Sequence, residues 1–262
     1  MRTALLGFTG FVGSNIAARH DFDDLYNSSN IDELAGRDYG LVVTAANRAD
    51  SFRINRDGEA DLAEVDALID RIERARIGRL VLISTVCVYP EGGAPTESTP
   101  RSPEGLTPYG RNRLHQEERL SAAFDTTIVR LPQLYGDGLK KGLVYDLAND
   151  YRVEFVRPEA SFQYYDVRRL WSDIEVALAQ WLDAVNPASP AISNATVARE
   201  VFGIDVTGND PGPADPFASM YTRNMRSEHA ELFGGGDGFF TAHDETLAQI
   251  AAFVEELEQK AN

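Results

Sequence analysis

Tyr109 and Arg113 stand four residues apart in "PYGRNR" (108–113). On a helix that spacing stacks both side chains on one face, one turn apart. A free phenol, with a pKa of about 10, is a poor base at neutral pH, and a cation beside it stabilises the phenolate. The pair therefore has the makings of a proton-transfer site. An aromatic and a cation sharing a solvated helix surface have the same spacing, so the pair alone does not decide. A second set lies at the N-terminus, where "LLGFTGFVGS" (5–14) carries glycines at 7, 10 and 13. Between a strand and a helix, Gly7 permits a tight turn, Gly10 lets backbone approach a pyrophosphate, and Gly13 allows close helix packing. Cys87 is the single cysteine, which excludes an internal disulfide and a multi-cysteine zinc site. The four histidines show no metal-ligand spacing, so no metal is expected. His115, two positions from Arg113, points elsewhere on the helix and reads as structural.

These residues need elements to hold them. "TALLG" (3–7) reads as a strand leading into a helix that runs to about residue 19. "LVVTAA" (41–46), "RLVLISTVCVY" (79–89) and "TTIVRLP" (126–132) are continuous apolar runs rich in β-branched residues, the pattern of strands covered on both faces. "DLAEVDALIDRIERA" (61–75) places Leu62, Val65, Leu68, Ile69 and Ile72 on one helical face. Strand–helix alternation of this kind gives an α/β fold with a doubly wound parallel sheet. The breaker-rich stretch 89–108 is a loop, ending with Thr107 as N-cap and Pro108 as first helical residue, which puts Tyr109 in the first turn. Further helices are expected at 166–182, 196–202 and 241–259, with a loop at 208–216.

Four segments in order resemble the extended short-chain dehydrogenase/reductases, of the NAD-dependent epimerase/dehydratase type that acts on nucleotide sugars. They are "GFTGFVGS" (7–14), "STVCVYP" (84–90), "PYGRNR" (108–113) and "VRLPQLYGDG" (129–138). The resemblance implies a Rossmann domain over 1–132 plus about 162–185, and a small substrate-binding lobe over 133–161 plus 186–262. It implies Tyr109 as acid/base, Thr85 as its hydrogen-bonding partner and Arg113 in the place of the family's lysine. For the cofactor it implies contacts from Gly7, Thr9, Gly10, Phe11, Val12, Gly13, Ala45, Ala46 and Pro132. Asn27 and Ser28 fall at the ribose-reading position. Neither is an acid for a 2′-hydroxyl nor an arginine for a 2′-phosphate, so NAD and NADP both stand. Gln133 takes the place of a substrate-touching asparagine.

Arginine at 113 keeps the positive charge but cannot surrender a proton, and its head is wider and planar. Val86 and Cys87 follow Thr85 where 4,6-dehydratases carry Asp and Glu, which disfavours that elimination. Cys87 instead matches the position of an acid/base cysteine in GDP-fucose synthase, although residues 137–165 contain no histidine to accompany it. A free cysteine is most often a small buried hydrophobe. Three readings result: an NAD(P)-dependent oxidoreductase or epimerase with a sugar-nucleotide substrate, a non-catalytic dinucleotide-binding regulator, and an epimerase-reductase using Cys87 at the substrate.

A net charge of −16 argues against a nucleic-acid partner. No apolar run reaches a membrane span and no leader precedes the first strand, so a cytoplasmic protein with no membrane partner is expected. Arg157, Arg168, Arg169, Arg223 and Arg226 are candidate partners for a substrate diphosphate. By resemblance, a homodimer would pair the helices near 60–76 and 109–124.

Overall fold

The computed structural model describes residues 1–213 and 223–261, so residues 214–216 of the expected loop at 208–216 lie outside it. Six strands form a parallel sheet: β1 (Thr3–Leu6), β2 (Asp24–Tyr26), β3 (Asp38–Thr44), β4 (Arg76–Thr85), β5 (Thr126–Leu131) and, far along the chain, β9 (Ala184–Val185), in the order β2-β1-β3-β4-β5-β9. The doubly wound α/β sheet expected from the apolar runs is present. β1 lies between β2 and β3, so the strand order reverses there, and a crevice opens at the carboxyl ends of β1 and β3.

Burial explains why the runs are continuous rather than alternating. Leu5, Val43, Val81 and Val129 pack on one side of the sheet with Ile16, Leu170, Trp171 and Ile174. The neighbouring Leu6, Val42, Leu80 and Leu82 pack on the other with Val65, Ile69, Ile72 and Leu120. Both faces are therefore apolar. The first side is covered by α1 (Phe11–Ala17) and α6 (Leu170–Ala179), the second by α3 (Gly58–Ile72) and α4 (Pro108–Ala123). A short helix, α2 (Ser51–Ile54), precedes α3.

Some boundaries differ from the sequence expectation. α3 begins three residues early because Asp57 caps it, accepting from Ala60 N at 3.3 Å. β4 stops at Thr85, and residues 86–88 turn into a 3-10 helix. The helix expected at 166–182 is a 3-10 turn at Val167–Arg169 followed by α6. Thr107 does cap α4, accepting from Gly110 N at 3.4 Å, with Pro108 in the first turn. Beyond β5 come β6 (Gln133–Tyr135), α5 (Leu143–Ala148), β7 (Ser161–Phe162), β8 (Tyr164–Asp166), β10 (Ile192–Ser193), α7 (Asn194–Phe202) and α8 (His243–Ala261), outside the large sheet. They pack around a separate apolar cluster of Tyr135, Tyr164, Ile192, Val197, Ile250 and Phe253. Among the described residues no helix is long and apolar enough to cross a membrane, and no group of three His, Cys, Asp or Glu could hold a metal ion.

Candidate active site

The glycine turn after β1 is sterically specified. Gly7 has φ +85°, and a Cβ there would come within 2.6 Å of the Ala45 carbonyl oxygen. A Cβ on Gly13 would overlap the Gly7 carbonyl oxygen, so the third glycine seats α1 against the turn. Gly10 is different: the nearest atom to a Cβ there is 3.4 Å away. Its open side faces a cavity of about 550 Å³.

The other wall of this cavity comes from the end of β4 and the start of α4. Thr85 closes β4 and accepts from Cys87 N at 3.2 Å, bending the chain into the 86–88 turn. A Cβ on Gly110 would overlap the Cys87 carbonyl oxygen, so only glycine lets α4 lie flush on that turn. Asn55 Oδ1 accepts from Tyr109 N at 3.0 Å and fixes the first turn of α4. These contacts bring Thr85, Cys87 and Tyr109 together on the cavity wall, with Thr9, Gly10, Phe11, Val12, Ala45, Pro132 and Gln133. Gly7, Gly13 and Ala46 do not line the cavity. Asn27 and Ser28 also lie off its wall, and Asn27 Oδ1 is occupied by Ser29 N at 2.8 Å and Ser29 Oγ at 2.6 Å.

Arg113 does not line the cavity either. Its fork grips Asp61 of α3, Nη1 to Oδ2 at 3.0 Å and Nη2 to Oδ1 at 2.9 Å, and Nη2 also reaches the Arg48 carbonyl at 2.8 Å. Both partners are buried, and the guanidinium carbon lies 4.8 Å from the centre of the Tyr109 ring. Asn112 adds a second donor to Asp61 at 2.8 Å. The cation thus backs the phenol ring while a carboxylate answers its charge. Burial pushes the Tyr109 phenol above its ordinary value, and the charge of Arg113 pulls the other way without prevailing. Cys87 adds to the rise and the Thr85 hydroxyl opposes it. Tyr109 therefore holds its proton at neutral pH.

Two residues of the quoted segments serve the scaffold. Arg130 donates to Glu117 and, at 2.9 Å, to Tyr89 Oη, while Asn186 Nδ2 donates to the same oxygen at 3.1 Å. This buried network ties β5, α4, the end of β4 and the chain after β9.

Sequence reasoning missed Asp61, Asn47, Gln163 and the two lysines Lys140 and Lys141. Lys140, Lys141 and Arg223 all line the cavity, and among the described lining residues none is Asp or Glu. The chain has 41 acidic residues and only three lysines, so the wall's charge runs against the composition. Two adjacent lysines between glycines in "GDGLKKG" (136–142) were the available signal; Asp61 sat unmarked within a helical pattern. Lys141 Nζ donates to the Ala49 carbonyl at 2.8 Å, so the 136–142 strap after β6 reaches the loop after β3. Of the five candidate arginines Arg223 alone is on the wall. Arg168 and Arg169 are held by Asp166 and Asp173, and Arg157 and Arg226 reach the carbonyls of Gly212 and Asp237.

No curated protein matches the sequence. Among solved structures, MoeE5 in complex with UDP-glucose and NAD superposes with a TM-score of 0.71 at 17% identity, covering 100% of both chains. UDP-glucose 4-epimerase from Thermotoga maritima, solved with UDP-glucose, gives 0.72 at 13% identity over 100% of both. A dTDP-4-dehydrorhamnose reductase from Clostridium acetobutylicum gives 0.71 at 17% identity, covering 98% of this chain and 100% of its own. At such identities the likeness shows a shared fold. The sequence model of the NAD dependent epimerase/dehydratase family matches residues 18–151, a segment that contains Thr85, Tyr109 and Arg113. With just over half of its length matched, this chain belongs to the NAD-dependent epimerase/dehydratase family.

Proposed function

We propose that the protein is an NAD(P)-dependent oxidoreductase or epimerase that acts on a sugar nucleotide or a related anionic carbonyl compound, with Tyr109 as the proton-transfer residue. The observation that carries this reading is one cavity that joins the glycine turn to Thr85 and Tyr109 and whose described lining residues include Lys140, Lys141 and Arg223 and no Asp or Glu. A nicotinamide dinucleotide fits the residues present. The open side of Gly10 leaves room for backbone to approach a diphosphate, and Thr9, Phe11, Val12, Ala45 and Pro132 complete that wall. When bound, the dinucleotide supplies or accepts the hydride.

The chain's own residues then have separate tasks. Tyr109, held protonated by burial, donates to a carbonyl oxygen as it gains charge, and Thr85 hydrogen-bonds that oxygen. Lys140, Lys141 and Arg223 attract and orient the anionic part of the substrate. Gln133 on the same wall contacts the substrate. With its proton held by burial, the tyrosine stands in the form that the reductive direction requires. Cys87 lies in the same cavity, which keeps the epimerase-reductase reading alive. Solvent-deuterium exchange beside the keto group, lost in Cys87→Ser, is the outcome that reading requires.

A thermal-shift screen with NAD, NADP and sugar nucleotides, followed by turnover of 4-keto sugar nucleotides with the reduced cofactor, tests the proposal. Specific ligands stabilise with the logarithm of their concentration over Kd. Stabilisation by a dinucleotide and oxidation of the reduced cofactor are expected. Cofactor binding with no turnover of any substrate offered would favour the regulator, and no dinucleotide binding would end both readings.

A further inference from the structure

This inference rests on the dinucleotide reading and asks which side chain holds the sugar between the diphosphate and the reacting ring. Arg113 itself does not line the cavity. Its two terminal nitrogens are bound to Asp61 and the Arg48 carbonyl, and its buried Nε has no hydrogen-bond partner. What Arg113 does reach is the backbone one residue beyond Asn47. Asn47 is half-buried and lines the cavity, as do Ala45 and Tyr109. Its Nδ2 donates to Gln116 Oε1, about one turn beyond Arg113 and two beyond Tyr109 on α4. Gln116 is 1% exposed, and its Nε2 has no partner. Asn47 Oδ1 carries no hydrogen bond among the described residues.

We propose that Asn47 is a binding residue for the nicotinamide-side ribose of the dinucleotide, with Gln116 and the Arg113–Arg48 carbonyl contact as its positioning groups. A ribose presents a pair of hydroxyls, and Asn47, a cavity-lining side chain anchored through Nδ2 to Gln116, keeps its amide oxygen as an acceptor. Losing such a contact weakens binding by roughly three- to tenfold, the scale of one neutral hydrogen bond.

ADP-ribose carries this second ribose and ADP lacks it, so their affinities for the full-length protein isolate the contact in a calorimetric titration. Wild type is expected to prefer ADP-ribose over ADP. Asn47→Ala should reduce that preference three- to tenfold with ADP affinity unchanged. Asn47→Asp, which keeps an acceptor and gives the Gln116 amide a partner, should retain it. Gln116→Leu should mimic Asn47→Ala although it does not line the cavity. An unchanged preference in Asn47→Ala, or an equal loss of ADP and ADP-ribose, would overturn the assignment and leave the dinucleotide reading standing. Absence of ADP-ribose and NADH binding to the wild type would overturn both.

Discussion

At the scale of single residues, the substitution that sets this site apart is arginine at 113, and the structure supplies its reason in Asp61. A buried guanidinium without a partner is strongly unfavourable, and the two-pronged fork matches a carboxylate as an ammonium cannot. Arg113→Lys keeps the charge but loses the fork and leaves the Arg48 carbonyl unpaired. We expect it to lower the thermal midpoint and not to raise activity. Asp61→Ala should be worse, costing about 3–5 kcal/mol in denaturant unfolding, since it strands the cation. Replacing both partners, as in Arg113→Met with Asp61→Leu, should recover most of that loss; if the double variant were as unstable as Asp61→Ala, the pair would not be the cause. The raised Tyr109 pKa has a direct pH consequence. Its protonated form persists past the ordinary phenol value, so reduction should show no loss of rate from this group between neutral and mildly alkaline pH. The sequence displayed Tyr109 and Thr85 through their spacing and surroundings. It did not display Asp61, because a partner from another helix leaves no mark at a fixed distance along the chain.

At the scale of elements, two close approaches require glycine: Gly7 and Gly13 at the turn after β1, and Gly110 where α4 meets residues 86–88. Gly10→Ala has room for its methyl group in the protein itself, so stability should hold while dinucleotide affinity falls. Gly13→Ala meets the Gly7 carbonyl and should fail at the level of folding. Comparing thermal midpoints of the two variants checks this contrast, and equal destabilisation would count against it. The strap at 136–142 yields a second prediction. Lys140→Ala with Lys141→Ala should raise KM for an anionic substrate roughly tenfold and flatten its dependence on salt, leaving kcat largely unchanged. Long buried strands and capped helices were readable from apolar runs and from Asp, Thr and Pro at helix starts. β2 and β9, three and two residues long, were not, because so short a strand shows no period of its own. Pairing to neighbours already in the sheet creates them.

At the scale of the whole molecule, charge is divided: in a chain of net charge −16, the described residues of the cavity wall include two lysines and an arginine and no carboxylate. Sequence composition showed the acidity but not its distribution, which arises only when residues 138–141 fold back over the turn at 9–12. A homodimer through α3 and α4 remains a proposal from resemblance. Both outward faces are charged, with Arg119 within 4 Å of Asp66, Asp70 and Glu73, and neither carries a large exposed apolar residue. A dimer formed there should dissociate as salt is raised in sedimentation velocity runs.

The measurement that bears most directly on the central claim compares wild type with Tyr109→Phe, reading turnover and cofactor affinity in the same preparation. Removing one hydroxyl from a buried ring leaves the cavity's shape intact, so NAD(P)H should bind within about twofold of wild type while kcat falls on the order of a hundredfold or more. Turnover that survives the change would show that the phenol at 109 moves no proton.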